Sequence, residues 1–105
     1  MARFDVYRNS GPHAAATPYL VEVQSNLLDE LDSCVVVPLR RVDRFAQVAL
    51  PMRLTPRFAV EGLDCMLETQ KLAAVPRRLL NERVTSLANE QSRITGALDF
   101  LFHGY

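Results

Sequence analysis

One long stretch of this 105-residue chain carries helical periodicity, and it is the last one. From Glu82 to Tyr105, apolar residues recur at Val84, Leu87, Ala88, Ile94, Ala97, Leu98, Leu101 and Phe102. That three- and four-residue spacing gathers most of them on one stripe of a helix. Asn81 is the expected N-cap, with Glu82 near the positive helix end. Most of what precedes is short alternating runs broken by proline and glycine, so the chain has to build a sheet and lay one terminal helix against it. The last turn departs from the amphipathic rule. Gly96, Asp99, Phe100 and His103 share a second face by the same spacing. An end this apolar frays unless something holds it, so it either packs into a dimer of the chain or is offered to a partner.

The alternating runs give the strands. Phe4 and Val6 fall on one side of Arg3 to Tyr7, with Asp5 and Tyr7 on the other. Asn9 to Pro18 is a loop, because Gly11, Pro12 and Pro18 interrupt any helix there. Tyr19 to Gln24 alternates again and is expected to pair antiparallel with the first strand. In Ser25 to Ser33, Leu27 and Leu28 are adjacent, and an extended chain cannot bury two successive side chains on one face. At least one of them stays near the surface. Cys34-Val35-Val36-Val37-Pro38-Leu39 reads as a central strand, whose far end Pro38 should turn into an edge or bulge. Arg40 to Pro56 is an arginine-rich connection with room for a short helical turn and with Phe45, Val48 and Leu50 as anchors. Phe58 to Val60 and Leu63 to Thr69 form a hairpin turning at Glu61-Gly62. Leu72 to Pro76 is a short crossing piece, and Arg77 to Leu80 a last brief strand. The expected fold is mainly β: five or more antiparallel strands in one domain over 1–105, closed or partly closed, then one C-terminal helix.

Composition narrows the function. With twelve acids against twelve bases, the chain lacks the net positive charge of a general nucleic-acid binder. The charges are nevertheless segregated. Tyr19 to Cys34 holds Glu22, Asp29, Glu30 and Asp32 and no base, whereas Val35 to Val60 holds Arg40, Arg41, Arg44, Arg53 and Arg57 against Asp43 alone. Arginine's planar fork suits carboxylates and phosphates, so this stretch is either a solvated face or a docking surface for an acidic segment. No apolar run reaches the roughly 20 residues of a membrane span. The N-terminus has no signal-peptide pattern, which makes the cytoplasm the expected location. Cys34 and Cys65 fit no metal spacing and are expected to be small buried strand residues.

Catalytic patterns are sparse. No nucleophile elbow, phosphate-binding glycine loop or pair of histidines at metal-binding spacing is present. No metal, cofactor or catalytic residue is therefore assigned. His13 lies in a proline-flanked loop and reads as solvated. A ribonuclease-type site needs only arginines, a histidine and a carboxylate around one phosphate, which the sequence neither excludes nor singles out.

Several stretches resemble one family. Phe4-Asp5-Val6-Tyr7 and then Tyr19 to Asp29, with its Leu27-Leu28 pair, are similar to the opening strands of the CcdB toxins. Val35-Val36-Val37-Pro38-Leu39 is similar to that family's third strand, and Leu72-Ala73-Ala74-Val75-Pro76 to its short motif before the helix. Phe102-His103-Gly104-Tyr105 has the place and length of its aromatic-Gly-aliphatic terminus. Together these cover nearly the whole chain in the right order.

The resemblance implies an SH3-like barrel of the CcdB/Kid type and a symmetric homodimer. It also implies a non-enzymatic toxin that binds the GyrA subunit of DNA gyrase and traps the gyrase–DNA cleavage complex. A CcdA-like antitoxin with a flexible acidic tail would neutralise it, and the pair would repress its own operon, reaching operator DNA only as a complex. Carried over by position, the gyrase contact falls on Leu27, Leu28, Asp99, Phe102, His103, Gly104 and Tyr105. The acidic tail would suit Arg40, Arg41, Arg44, Arg53 and Arg57 on charge. The family's well-known poison ends Trp-Gly-Ile and has an asparagine where this chain has Asp99. Histidine is a smaller ring that gains charge in mild acid, so gyrase binding is expected to be weaker here. Two alternatives share the barrel: a homologue that has lost gyrase poisoning, and an endoribonuclease toxin.

Overall fold

The computed structural model describes residues 2–44 and 50–105, so the expected anchors Phe45 and Val48 lie outside the described residues. The strands are β1 (Asp5–Arg8), β2 (Tyr19–Glu22), β3 (Ser33–Arg41), β4 (Arg57–Val60), β5 (Leu63–Leu67), β6 (Ala73–Pro76) and β7 (Arg83–Ser86), followed by helix α1 (Gln91–His103). All pairings are antiparallel, in the order β4-β5-β3-β2-β1-β7 with β6 also on β3. The sheet curls into a half-barrel with the helix packed on it.

β3 is the spine. One edge pairs with β2, and the other pairs with β6 as far as Val36 and with β5 from Leu39. Pro38 was expected to make the far end an edge or a bulge, but it sits where one partner gives way to the next. Its carbonyl accepts the Glu68 N–H at 2.9 Å, so the side on which proline lacks a donor faces the changeover. Alternation along β3 splits the interior in two. Val37 and Leu39 join Val6, Val21, Leu67, Ile94 and Ala97 between sheet and helix, and Cys34 and Val36 join Tyr7 and Leu80 on the other face. Both cysteines are free and buried, as expected.

The Glu61-Gly62 turn forms as the sequence indicates. Val60 faces Leu63, and φ is +52° at Glu61 and +79° at Gly62, the two positive values of a type I′ turn. Gly62→Ala would meet no atom within 4 Å, so its cost is the backbone strain alone. Urea unfolding should show a loss of about 1 kcal/mol, with Gly62→Asn recovering most of it. An unchanged midpoint for Gly62→Ala would mean the turn adopts another conformation.

The helix is shorter than its stripe. Asn81 caps nothing, since α1 begins at Gln91, and Val84 belongs to β7 on the free edge of β1. The β-branched Val84 and Thr85 suit that edge, and the ladder bonds gained there outweigh a helical pattern set by spacing alone. Arg77–Leu79 is a 3₁₀ turn, not a strand, and it drives Leu80 into the second core. At the far end Gly104 adopts φ +78° and donates its N–H to the Phe100 carbonyl at 2.9 Å, closing the helix with a left-handed cap.

Candidate partner-binding surface

Leu27 and Leu28 stand on a single 3₁₀ turn after β2. The Ser25 hydroxyl accepts the Leu27 N–H at 3.2 Å, and Asn26 Oδ1 accepts the Arg3 N–H at 2.7 Å. With the polar side chains spent on the backbone, the leucines point outward. Leu27 is 94% exposed, and Leu28 and Leu31 are exposed beside it.

Beneath this turn lies a buried charge pair that the sequence did not reveal. Arg77 donates its main-chain N–H to the Asp32 carbonyl at 2.7 Å and its Nε–H to the Leu31 carbonyl at 3.1 Å. Its Nη1 lies 3.6 Å from the Glu22 carboxylate, which has no exposure at all. Burial pushes the Glu22 pKa above the usual carboxylate range, and the Arg77 guanidinium partly opposes it. Burial, with Glu22 adding to it, pushes the Cys34 thiol up to about 11 and the Tyr7 phenol up to about 12. Cys34 is thereby kept as an inert thiol.

The second apolar group is the end of α1. Ile94 and Ala97 are buried against the sheet, while Asp99, Phe102, His103, Gly104 and Tyr105 are exposed, Phe102 by 65% and Tyr105 by 77%. The His103 and Tyr105 rings lie 6.0 Å apart and tilted. Phe100 departs from the face it was expected to share with them. It is half-buried beneath the Arg53 guanidinium, 5.1 Å from its ring. The leucine turn is tied to β1 through Arg3, and α1 rests on the Thr69–Lys71 and Ala88–Glu90 turns, so different elements carry the two groups.

The five arginines come from three segments, and the register sets Arg40 and Arg57 on either side of Met66. Arg40, Arg41 and Arg44 gather at the end of β3, where Arg40 donates to the Arg44 carbonyl from Nε at 3.0 Å and Nη2 at 2.6 Å, and Arg41 pairs with Asp43 at 2.8 Å. Arg53 lies against α1, and Arg57 opens β4. Among the described residues no group of three His, Cys, Asp or Glu side chains is placed to hold a metal ion, and no helix is long and apolar enough to cross a membrane.

The molecule is a curled antiparallel half-barrel with one C-terminal helix, and apolar side chains face outward on two of its elements. The chain belongs to the CcdB family: the family model described as "CcdB protein" matches residues 3–104. It is thus a CcdB-family toxin of a toxin–antitoxin system. Among solved structures it is similar to an "Endoribonuclease in complex with its cognate antitoxin from Mycobacterial species". That likeness has a TM-score of 0.72 at 14% identity and covers 97% of this chain and 94% of that one. An "Endoribonuclease from Mycobacterial species" gives a TM-score of 0.67 at 15% identity, over 97% of this chain and 90% of that one. At such identities the likeness is one of fold. No curated protein matches the chain.

Proposed function

We propose that this protein binds the GyrA subunit of DNA gyrase and traps the gyrase–DNA cleavage complex, acting as a stoichiometric poison in the cytoplasm. The observation that carries this reading is the exposure of Leu27, Leu28, Phe102 and Tyr105, the positions on which the resemblance to the CcdB toxins puts the gyrase contact. Large side chains left in water on so small a chain mark a docking surface. The proposed active species is a symmetric homodimer, in which a two-fold axis doubles each small patch. A CcdA-like antitoxin with an acidic tail would neutralise it, drawn by Arg40, Arg41 and Arg44 at the end of β3 and by Arg53 and Arg57 beyond them. The toxin–antitoxin pair would repress its own operon.

The tail gives a direct test. A tryptophan at the chain end offers a larger ring for a cationic partner than His103 does. His103→Trp should therefore tighten GyrA binding by about thirtyfold, the equivalent of ~2 kcal/mol for one good anchor. Equal affinity for the two proteins in a titration with purified GyrA would remove position 103 from the interface.

A further inference from the structure

Every residue from Ser25 to Ser33 is exposed, so the leucine-bearing loop between β2 and β3 is held by hydrogen bonds rather than by packing. Its ties to the rest of the molecule are few. Arg3 holds Asn26 at the start, and the Gln24 amide donates to the Ser33 carbonyl at 3.2 Å and the Leu28 carbonyl at 3.4 Å. At the far end Arg77 meets the Leu31 carbonyl through Nε and the Asp32 carbonyl through its main-chain N–H. Leu31 passes that hold along the loop. Its N–H donates to the Leu28 carbonyl at 3.1 Å, and the Leu28 N–H to the Ser25 carbonyl at 3.0 Å. The guanidinium at the end of this series faces the buried Glu22 carboxylate, 3.6 Å from Nη1. Among the described residues, neither oxygen of that carboxylate and neither Nη atom has a hydrogen-bond partner. A charge pair bonded so sparingly costs about as much to bury as its attraction returns. What the pair does supply is a fixed place for Nε, whose one bond runs to the leucine loop.

We propose that Arg77 is a positioning residue for partner binding: standing on Glu22, it fixes Leu31 and through it the conformation in which Leu27 and Leu28 meet another protein. Glu22 closes β2 inside the sheet, so the place of the guanidinium is set by the barrel itself. The planar fork faces the carboxylate with one nitrogen and the Leu31 carbonyl with another, which a point charge does less well. A loop released from that hold presents its leucines only part of the time, and the apparent dissociation constant rises by the inverse of that fraction. Phe102 stands on α1 and does not depend on Arg77. That the partner is GyrA rests on the reading above, whereas the hold on the loop does not.

The test uses the full chain carrying Glu22→Gln with Arg77→Met, which removes both charges together and so keeps the fold, as urea unfolding should show. Hydrogen exchange followed by NMR should find the Leu28 and Leu31 amides opening about tenfold faster than in the unaltered protein. Binding to purified GyrA should weaken by about tenfold, the size of one hydrogen bond from a charged donor. Adding Phe102→Ala should multiply that loss in full, because the two sites are independent. Adding Leu27→Ala should multiply it by much less, because a leucine already out of place has less to lose. A general loss of stability would not tell the two additions apart. Arg77→Lys, which keeps the charge and loses the fork, gives the same readouts should the double variant unfold. Unchanged exchange at Leu28 and Leu31 would overturn the proposal, as would equal further losses from Leu27→Ala and Phe102→Ala. If the unaltered protein leaves GyrA unbound, the gyrase reading fails, and the exchange rates alone decide whether Arg77 holds the loop.

Discussion

Arg77→Met is expected to lower the free energy of unfolding at neutral pH by about 3 kcal/mol, because it leaves the Glu22 carboxylate buried without its counter-charge. For a chain of this size that corresponds to a fall in melting temperature of roughly 12 °C. The loss should depend on pH in a definite direction. Burial already raises the Glu22 pKa, and only the guanidinium pulls it back, so the variant's folded state favours the protonated acid still more. A group whose pKa is raised on folding contributes stability that is present below its unfolded value, about 4.3, and lost as pH rises through the folded value. The deficit should therefore shrink in acid and be largest at neutral pH. Glu22→Gln added to Arg77→Met removes the stranded charge and should restore most of the stability. It should not restore the bond to the Leu31 carbonyl, so the leucine turn would stay loose in the double variant. Equal stability of Arg77→Met and the unaltered protein across pH would mean the pair contributes nothing.

The second large effect is on binding. Leu27→Ala and Phe102→Ala should each weaken the complex with GyrA by about thirtyfold, and together by about a thousandfold, if each is an anchor worth ~2 kcal/mol. Neither substitution should disturb the fold, because both side chains stand mostly in water. Stability measured alongside affinity separates a lost contact from a damaged protein. Ile94→Ala provides the contrast: Ile94 is fully buried between helix and sheet, and its truncation should cost about 3 kcal/mol of stability. Its effect on GyrA binding should come only through the fold. A double variant that still binds GyrA tightly would move the interface elsewhere on the molecule.

The strands were legible in the sequence because their pattern is local. Alternation locates β1 and β2, the apolar run from Cys34 to Leu39 locates the body of β3, and the Glu61-Gly62 pair locates the hairpin. Cys34 and Cys65, which fit no metal spacing, were expected inside the strands and are buried. The adjacency of Leu27 and Leu28 was enough to expect an exposed leucine, and both are exposed. What stayed hidden is non-local. The stripe from Val84 to Ala88 has helical spacing, and nothing nearby in sequence says that β1 has a free edge to claim it. Pro38 reads as a strand-breaker until two different partners are seen to meet there. Glu22 and Arg77 are far apart in the chain, and each reads alone as a surface charge.

The most direct test of the gyrase account is the state of supercoiled plasmid DNA incubated with purified gyrase and this protein, then denatured with detergent. Accumulation of linear DNA, dependent on both proteins and reduced by Leu27→Ala with Phe102→Ala, is the predicted result. Plasmid that stays uncut, with no GyrA retained on the immobilised toxin, would contradict it.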